Sequence, residues 1–112
     1  MSKFDDLMAT YGGEAQKIGV SVDSELLSKV TKGLGPSIYN ADSAKVSCSD
    51  QSELDRVKAN FLIKKLGLAD GPQLDQALKE VCETFGSSNR NKYRALFYYL
   101  LVKKLGKESQ YA

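Results

Sequence analysis

Tyr93, Leu96, Phe97, Tyr98, Tyr99, Leu100, Leu101, Val102 and Leu105 fall within one segment near the C-terminus. At helical pitch these side chains project almost all round the axis, and a helix apolar on every side is stable only when other elements enclose it. The segment from about Arg90 to Leu105 is therefore read as a central helix, capped by Ser88 or Asn89 and stopped by Gly106. Its longest uncharged apolar run, Ala95 to Val102, is far short of the ~20 residues that span a bilayer, so it reads as core and no membrane partner is expected.

Four further helices supply the enclosure. The first runs from about Lys3 to Ile18, with Ser2 as cap and Phe4, Leu7, Met8, Tyr11, Ala15 and Ile18 on one stripe. Gly12 and Gly13 sit inside it and predict a kink or break, since each glycine costs roughly 1 kcal/mol relative to alanine in a helix. A second begins near Asp23, carries Leu26, Leu27, Val30 and Leu34, and stops at Gly35-Pro36. A third opens at Asp50, with Glu53 completing a capping box, and continues through Leu54, Val57, Phe61, Leu62, Ile63 and Leu66 to Gly67. The fourth starts at Pro72 and holds Leu74, Ala77, Leu78, Val81, Cys82 and Phe85 on its stripe before Gly86. Strict two-residue alternation is absent, so strands are not expected. The fold class that follows is all-α, a compact bundle of four to five helices in one domain spanning residues 1–112, with 108–112 as a frayed tail.

Ser49–Gly67 and Ser88–Gly106 share Leu62/Leu101, Lys64/Lys103, Lys65/Lys104, Leu66/Leu105 and Gly67/Gly106. Lysines complement the negative end of a helix and glycine suits the position past it, so the match reads as two similar helix ends rather than a duplication.

Inventory narrows the chemistry. With no His, no Trp and two Cys, most zinc sites, haem ligation, Ser-His-Asp triads and Cys-His pairs are excluded, and no cofactor or enzyme activity is expected. The start, Met1 to Asp6, does not read as a secretory signal. Cys48 and Cys82 are too few and too far apart to suggest a disulfide framework, and a reduced, cytoplasmic setting is expected. Cys82 lies on an apolar stripe and reads as buried. Cys48 lies directly before a predicted helix start, where a thiol can acquire a lowered pKa, while Asp50 opposes that effect; it is a candidate reactive thiol set against the plainer reading of a small apolar filler.

The net charge of +2 conceals an uneven distribution. Residues 87–107 contain Arg90, Lys92, Arg94, Lys103, Lys104 and Lys107 and no acid, whereas the remainder, with ten basic against fourteen acidic residues, carries −4. The last three lysines suit a helix C-terminus. Arg90, Lys92 and Arg94 lie in predicted first turns, where the helix dipole disfavours cations, so an anion is expected to compensate them. Glu80 and Glu83 of the preceding helix are the nearest in sequence; an acidic protein partner or a nucleic-acid phosphate are the other readings, with interleaved tyrosines available for stacking. The polar connection 37–49 offers a second candidate interaction site at Tyr39, Asn40 and Asp42. The alternative there is that Ile38 and Tyr39 tuck against the bundle while Asn40 and Asp42 make local turn hydrogen bonds.

Three runs, Gly35-Pro36-Ser37-Ile38-Tyr39-Asn40-Ala41-Asp42, Asn60-Phe61-Leu62-Ile63-Lys64-Lys65-Leu66-Gly67 and Ser88-Asn89-Arg90-Asn91-Lys92-Tyr93-Arg94-Ala95, give the chain a resemblance to a family of small bacterial proteins of unknown function. The resemblance implies a bacterial, cytosolic, all-helical domain and carries over no catalytic residue; Gly12-Gly13 departs from the expected pattern. The sequence thus points to a non-enzymatic protein-binding or structural module. The alternative is a binder of an anionic partner or nucleic acid through segment 87–107.

Overall fold

The computed structural model describes residues 3–40, 44–86, 89 and 91–111, with Ser37 described by its backbone alone. Five α-helices follow one another as α1 (Lys3–Lys17), α2 (Ser24–Leu34), α3 (Gln51–Val57), α4 (Pro72–Phe85) and α5 (Arg94–Lys104). Two short 3₁₀ turns, Gly35–Tyr39 and Glu108–Tyr111, and a π-helical stretch, Lys58–Ile63, complete the regular structure. The all-α expectation holds, and the described residues include no strand beyond one isolated antiparallel bridge, Lys45 to Tyr93.

The apolar-all-round segment sits where its composition requires. Ala95, Leu96, Phe97, Tyr98, Tyr99, Leu101 and Val102 of α5 are all buried, enclosed by α1, α2 and α4. Rings extend this core to neighbouring elements: Phe97 stacks with Phe85 of α4 and Tyr98 with Phe61 of the π-helical stretch. The hydroxyl of Tyr99 accepts a 2.8 Å hydrogen bond from the Asp23 backbone N–H. Asp23 in turn caps α2 by accepting from the Glu25 and Leu26 N–H groups. A core tyrosine therefore fixes the start of a neighbouring helix through the polar end of its ring.

Three helices end close to their expected bounds, and two depart from them for identifiable reasons. Helix α1 is continuous through Gly12-Gly13, so the expected break is absent; Tyr11, Glu14 and Ala15 are buried on either side of the pair, and this packing outweighs the low propensity of two glycines. Its proposed cap, Ser2, lies outside the described residues. The third helix begins as expected, with Asp50 accepting from the Ser52 and Glu53 N–H groups, but changes to π register after Val57. The Leu66 N–H donates to the Phe61 carbonyl, five residues back, which brings the buried Phe61 and Leu66 onto one face where α-helical pitch would separate them.

Helix α5 starts at Arg94, four residues later than expected. Asn89 accepts the Asn91 N–H on its side-chain oxygen in a local turn, and Tyr93 is held in the bridge to Lys45, so Asn89, Asn91 and Tyr93 are already committed. Ser88, the other expected cap, lies outside the described residues. The two similar helix ends belong to differently built helices, one in π register and one regular. Residues 108–111, expected to fray, form a 3₁₀ turn whose Tyr111 ring lies beside Gly33 of α2, where an added Cβ would meet it at 3.8 Å.

Within this core the Tyr11 hydroxyl is buried without a hydrogen-bond partner among the described residues, and burial, followed by the neighbouring Tyr93 and Tyr39, pushes it up to about 12. An unpaired buried hydroxyl is a net cost, so Tyr11→Phe is expected to leave thermal stability unchanged or raise it by up to ~1 kcal/mol. A fall in the unfolding free energy of more than that amount, measured by urea titration, would show that the hydroxyl is bonded.

Candidate functional site

Segment 44–50 crosses the approach to α5. The Val46 N–H donates to the Lys92 carbonyl at 2.8 Å, and the Arg94 N–H donates to the Ala44 carbonyl at 2.7 Å. The second bond satisfies an N–H of the first helical turn that has no partner within α5. The Arg94 guanidinium completes the crossing: it bonds Glu53 of α3, donates to the Tyr98 hydroxyl at 3.0 Å, and lies over the Tyr98 ring. Arg56 binds the other oxygen of Glu53 at 2.8 Å.

Arg94 is thus compensated inside the protein as expected, though by Glu53 and not by Glu80 or Glu83. Glu80 instead pairs with Lys104 at 2.7 Å. Glu53 does not close the expected capping box: its carboxylate faces the two arginines, and the Asp50 N–H goes to the Ser47 carbonyl. With side chains 15% and 13% exposed, Arg94 and Glu53 form the least exposed ion pair among the described residues. Burial pushes the Glu53 carboxyl up, but the hydrogen bonds from Arg56 and Arg94 outweigh it and hold the group below the ordinary carboxylate range.

The cysteines require a correction. Cys48 and Cys82 are joined in a disulfide, with Cα atoms 6.0 Å apart, so Cys48 is not a free reactive thiol and the expectation of two reduced cysteines fails. Their separation of 34 residues conceals the pairing, since the turn before α3 and the last turn of α4 meet only in the folded chain. Cys82 is also half-buried and not fully enclosed. An even cysteine count was the one available signal.

The disulfide divides two clefts. One, of about 610 Å³, is lined by Lys45, Lys79 and Lys92 around the Cys48–Cys82 bond, with Glu83 as its acid. The other, of about 620 Å³, lies towards α3 and shares Cys48, Lys79 and Cys82 with the first. There Lys58 is paired with Asp70 at 2.9 Å and with Asp75 at 3.1 Å. Among the described residues the cations of the first cleft lack such partners: the Lys45 ammonium donates to the Asn91 side chain and lies over the Tyr93 ring, and no acid pairs with Lys79. Lys92 is only 8% exposed, and its ammonium donates to the Asn89 carbonyl. A buried ammonium with three donors and a single protein acceptor is well placed to bind an anion.

The remaining candidates are more dispersed. Arg90 and Asp42 lie outside the described residues. Ile38 tucks into the core as the plainer reading required, but Tyr39 stays 49% exposed over a shallow cleft against α1. The Asn40 carbonyl accepts the Ala44 N–H and so helps position the crossing segment. Tyr98 and Tyr99 are buried and unavailable as stacking platforms. Lys103 pairs with Glu108. No group of three or more metal-ligating side chains is assembled among the described residues, and none of their helices is long and apolar enough to cross a membrane.

The depressed Glu53 group links stability to pH. Because its folded pKa lies below its unfolded value, its contribution is present above the ordinary carboxylate range and is lost as pH falls through the folded pKa. Urea unfolding between pH 7 and pH 3 should show this loss, and Glu53→Gln should remove about 1–3 kcal/mol at pH 7 while flattening the acid slope. Wild-type-like stability of the variant at neutral pH would contradict a structural role for the pair.

No curated protein matches the chain. The family model described as a protein of unknown function, DUF2853, matches residues 11–109, from the buried Tyr11 of α1 through the crossing and both cysteines to the turn after α5; the chain belongs to that family.

Proposed function

We propose that this protein is a small non-catalytic binding module that takes an acidic segment of a partner protein in the cleft lined by Lys45, Lys79 and Lys92. The observation that carries the reading is Lys92, buried at the cleft and without a carboxylate partner among the described residues. Lys45 and Lys79 add charge of the same sign at the mouth. Opposite potentials steer association and set its salt dependence, which suits a partner recognised by charge. The basic segment contributes to this surface through Lys92, while Arg94, Lys103 and Lys104 are engaged with acids of the protein itself. A nucleic-acid partner is less favoured because Tyr98 and Tyr99, which would stack on bases, belong to the core.

A bacterial cytoplasmic setting is carried to this reading by the family resemblance alone, since the bonded cysteines reverse the argument from free thiols: disulfides persist in oxidising surroundings and are rare in the cytosol.

Titration of the protein with an oligoglutamate peptide and its oligoglutamine counterpart, at low and moderate salt, tests the proposal. Binding of the acidic peptide alone, weakened by salt and reduced about tenfold or more, equivalent to ~1.4 kcal/mol, by Lys92→Met or Lys79→Glu, is expected. Equal binding of both peptides, or no binding at low salt, contradicts it. Tighter binding of a short duplex or single-stranded oligonucleotide through the same lysines would replace the acidic protein partner with nucleic acid.

A further inference from the structure

The disulfide lies in the wall common to both clefts, so it is approached from two sides, and both of its cysteines are half-buried rather than enclosed. The segment carrying Cys48 is anchored independently of the disulfide, by the Val46–Lys92 and Ala44–Arg94 backbone bonds and by the Asp50 cap of α3. The bond can therefore open without detaching the elements it joins.

Thiol–disulfide exchange proceeds through a thiolate, so every attacking species arrives with a negatively charged sulfur. The cleft containing Lys45, Lys79 and Lys92 favours such an approach. The cleft on the other side presents Asp55 and Asp75 beside Lys58 and Lys79 and offers no comparable excess of positive charge. The two sulfurs also differ as leaving groups. Cys82 lies in the last turn of α4, where the helix carbonyls disfavour an anion, and Glu83 follows it. Cys48 lies outside any helix C-terminus, in the loop that carries Lys45; Asp50, two residues on, opposes a thiolate there, but its carboxylate is engaged by the Ser52 and Glu53 N–H groups.

We propose that Cys48–Cys82 is an exchange site for a small anionic thiol, which enters past Lys45, Lys79 and Lys92, bonds to Cys82 and releases Cys48 as thiolate. The incoming thiol first loses its proton to solvent. Its sulfur electron pair then forms the bond to Cys82 Sγ as the Cys48–Cys82 bond breaks, and the departing pair remains on Cys48 Sγ. The incoming sulfur is oxidised to the disulfide level, the Cys48 sulfur is reduced, and no other oxidant or reductant takes part. Lysine charge beside the cleft stabilises the released thiolate. Attack of the Cys48 thiolate on Cys82 Sγ reverses the step and expels the small thiol, whereas a second small thiol attacking the outer sulfur carries it forward, releasing the small-thiol disulfide and leaving Cys82 as thiolate. This inference rests on the anion-attracting cleft proposed above and adds a covalent ligand class to it.

The test uses the oxidised full chain with glutathione, neutral 2-mercaptoethanol and cationic cysteamine. Rates are normalised to thiolate concentration, followed by acid quench and peptide mapping. At low salt glutathione should react about tenfold faster than cysteamine, the scale expected of electrostatic steering, and high salt or Lys79→Glu should abolish the difference. The first adduct should sit on Cys82 with Cys48 free. An equal or faster rate with cysteamine, an adduct on Cys48 with Cys82 free, or no adduct at all overturns the inference. Acidic-peptide binding by the Cys48→Ser/Cys82→Ser variant separates the two proposals. Retained binding by the variant, with no charge-dependent exchange in the oxidised wild-type chain, overturns the exchange site alone, whereas loss of charge preference in both assays overturns both.

Discussion

The crossing of segment 44–50 over residues 91–94 is the constraint on which the rest of the molecule depends. Two backbone hydrogen bonds and the Arg94–Glu53 pair tie together three regions far apart in the chain: the long connection, the first turn of α3 and the start of α5. Paired, hydrogen-bonded charges can be buried, whereas either one alone would carry a large desolvation cost. The crossing delays the start of α5, brings Lys45 to the Tyr93 ring, and sets Cys48 against α4.

From that arrangement the distribution of charge acquires its meaning. The acid-free C-terminal segment meets acids from elsewhere at Arg94, Lys103 and Lys104, so part of its charge is neutralised within the fold. Lys92, fixed by its backbone bond to Val46, is buried with no ion pair to an acid among the described residues. Together with Lys45 and Lys79 it gives one cleft a positive lining next to the disulfide. The core and the candidate site therefore share residues: the segment that opens the central helix also forms one wall of the cleft.

What could be read from the sequence was local. Apolar spacing and end signals place α2 and α4 almost to the residue, because Asp23, Gly35, Pro72 and Gly86 act on the turns they adjoin. The all-round apolarity of Leu96 to Val102 gives the central position of α5. What could not be read was non-local. Glu53 reaches Arg94 across 41 residues, while the sequence-adjacent Glu80 and Glu83 look nearer; the two cysteines meet across 34. The π register after Val57 is set by the burial of Phe61 with Leu66, and a stripe drawn at helical pitch does not show it. Lys92 appeared as one of six basic residues; only its burial distinguishes it.

Amide hydrogen exchange at Val46 and Arg94 tests the central role of the crossing most directly. Both amides are held in backbone bonds between segments more than forty residues apart in sequence, so they should open only with the core. The account predicts protection of both comparable to that of the Leu101 amide inside α5. Exchange of Val46 and Arg94 at the rate of the neighbouring loop amides, with Leu101 still protected, would contradict it.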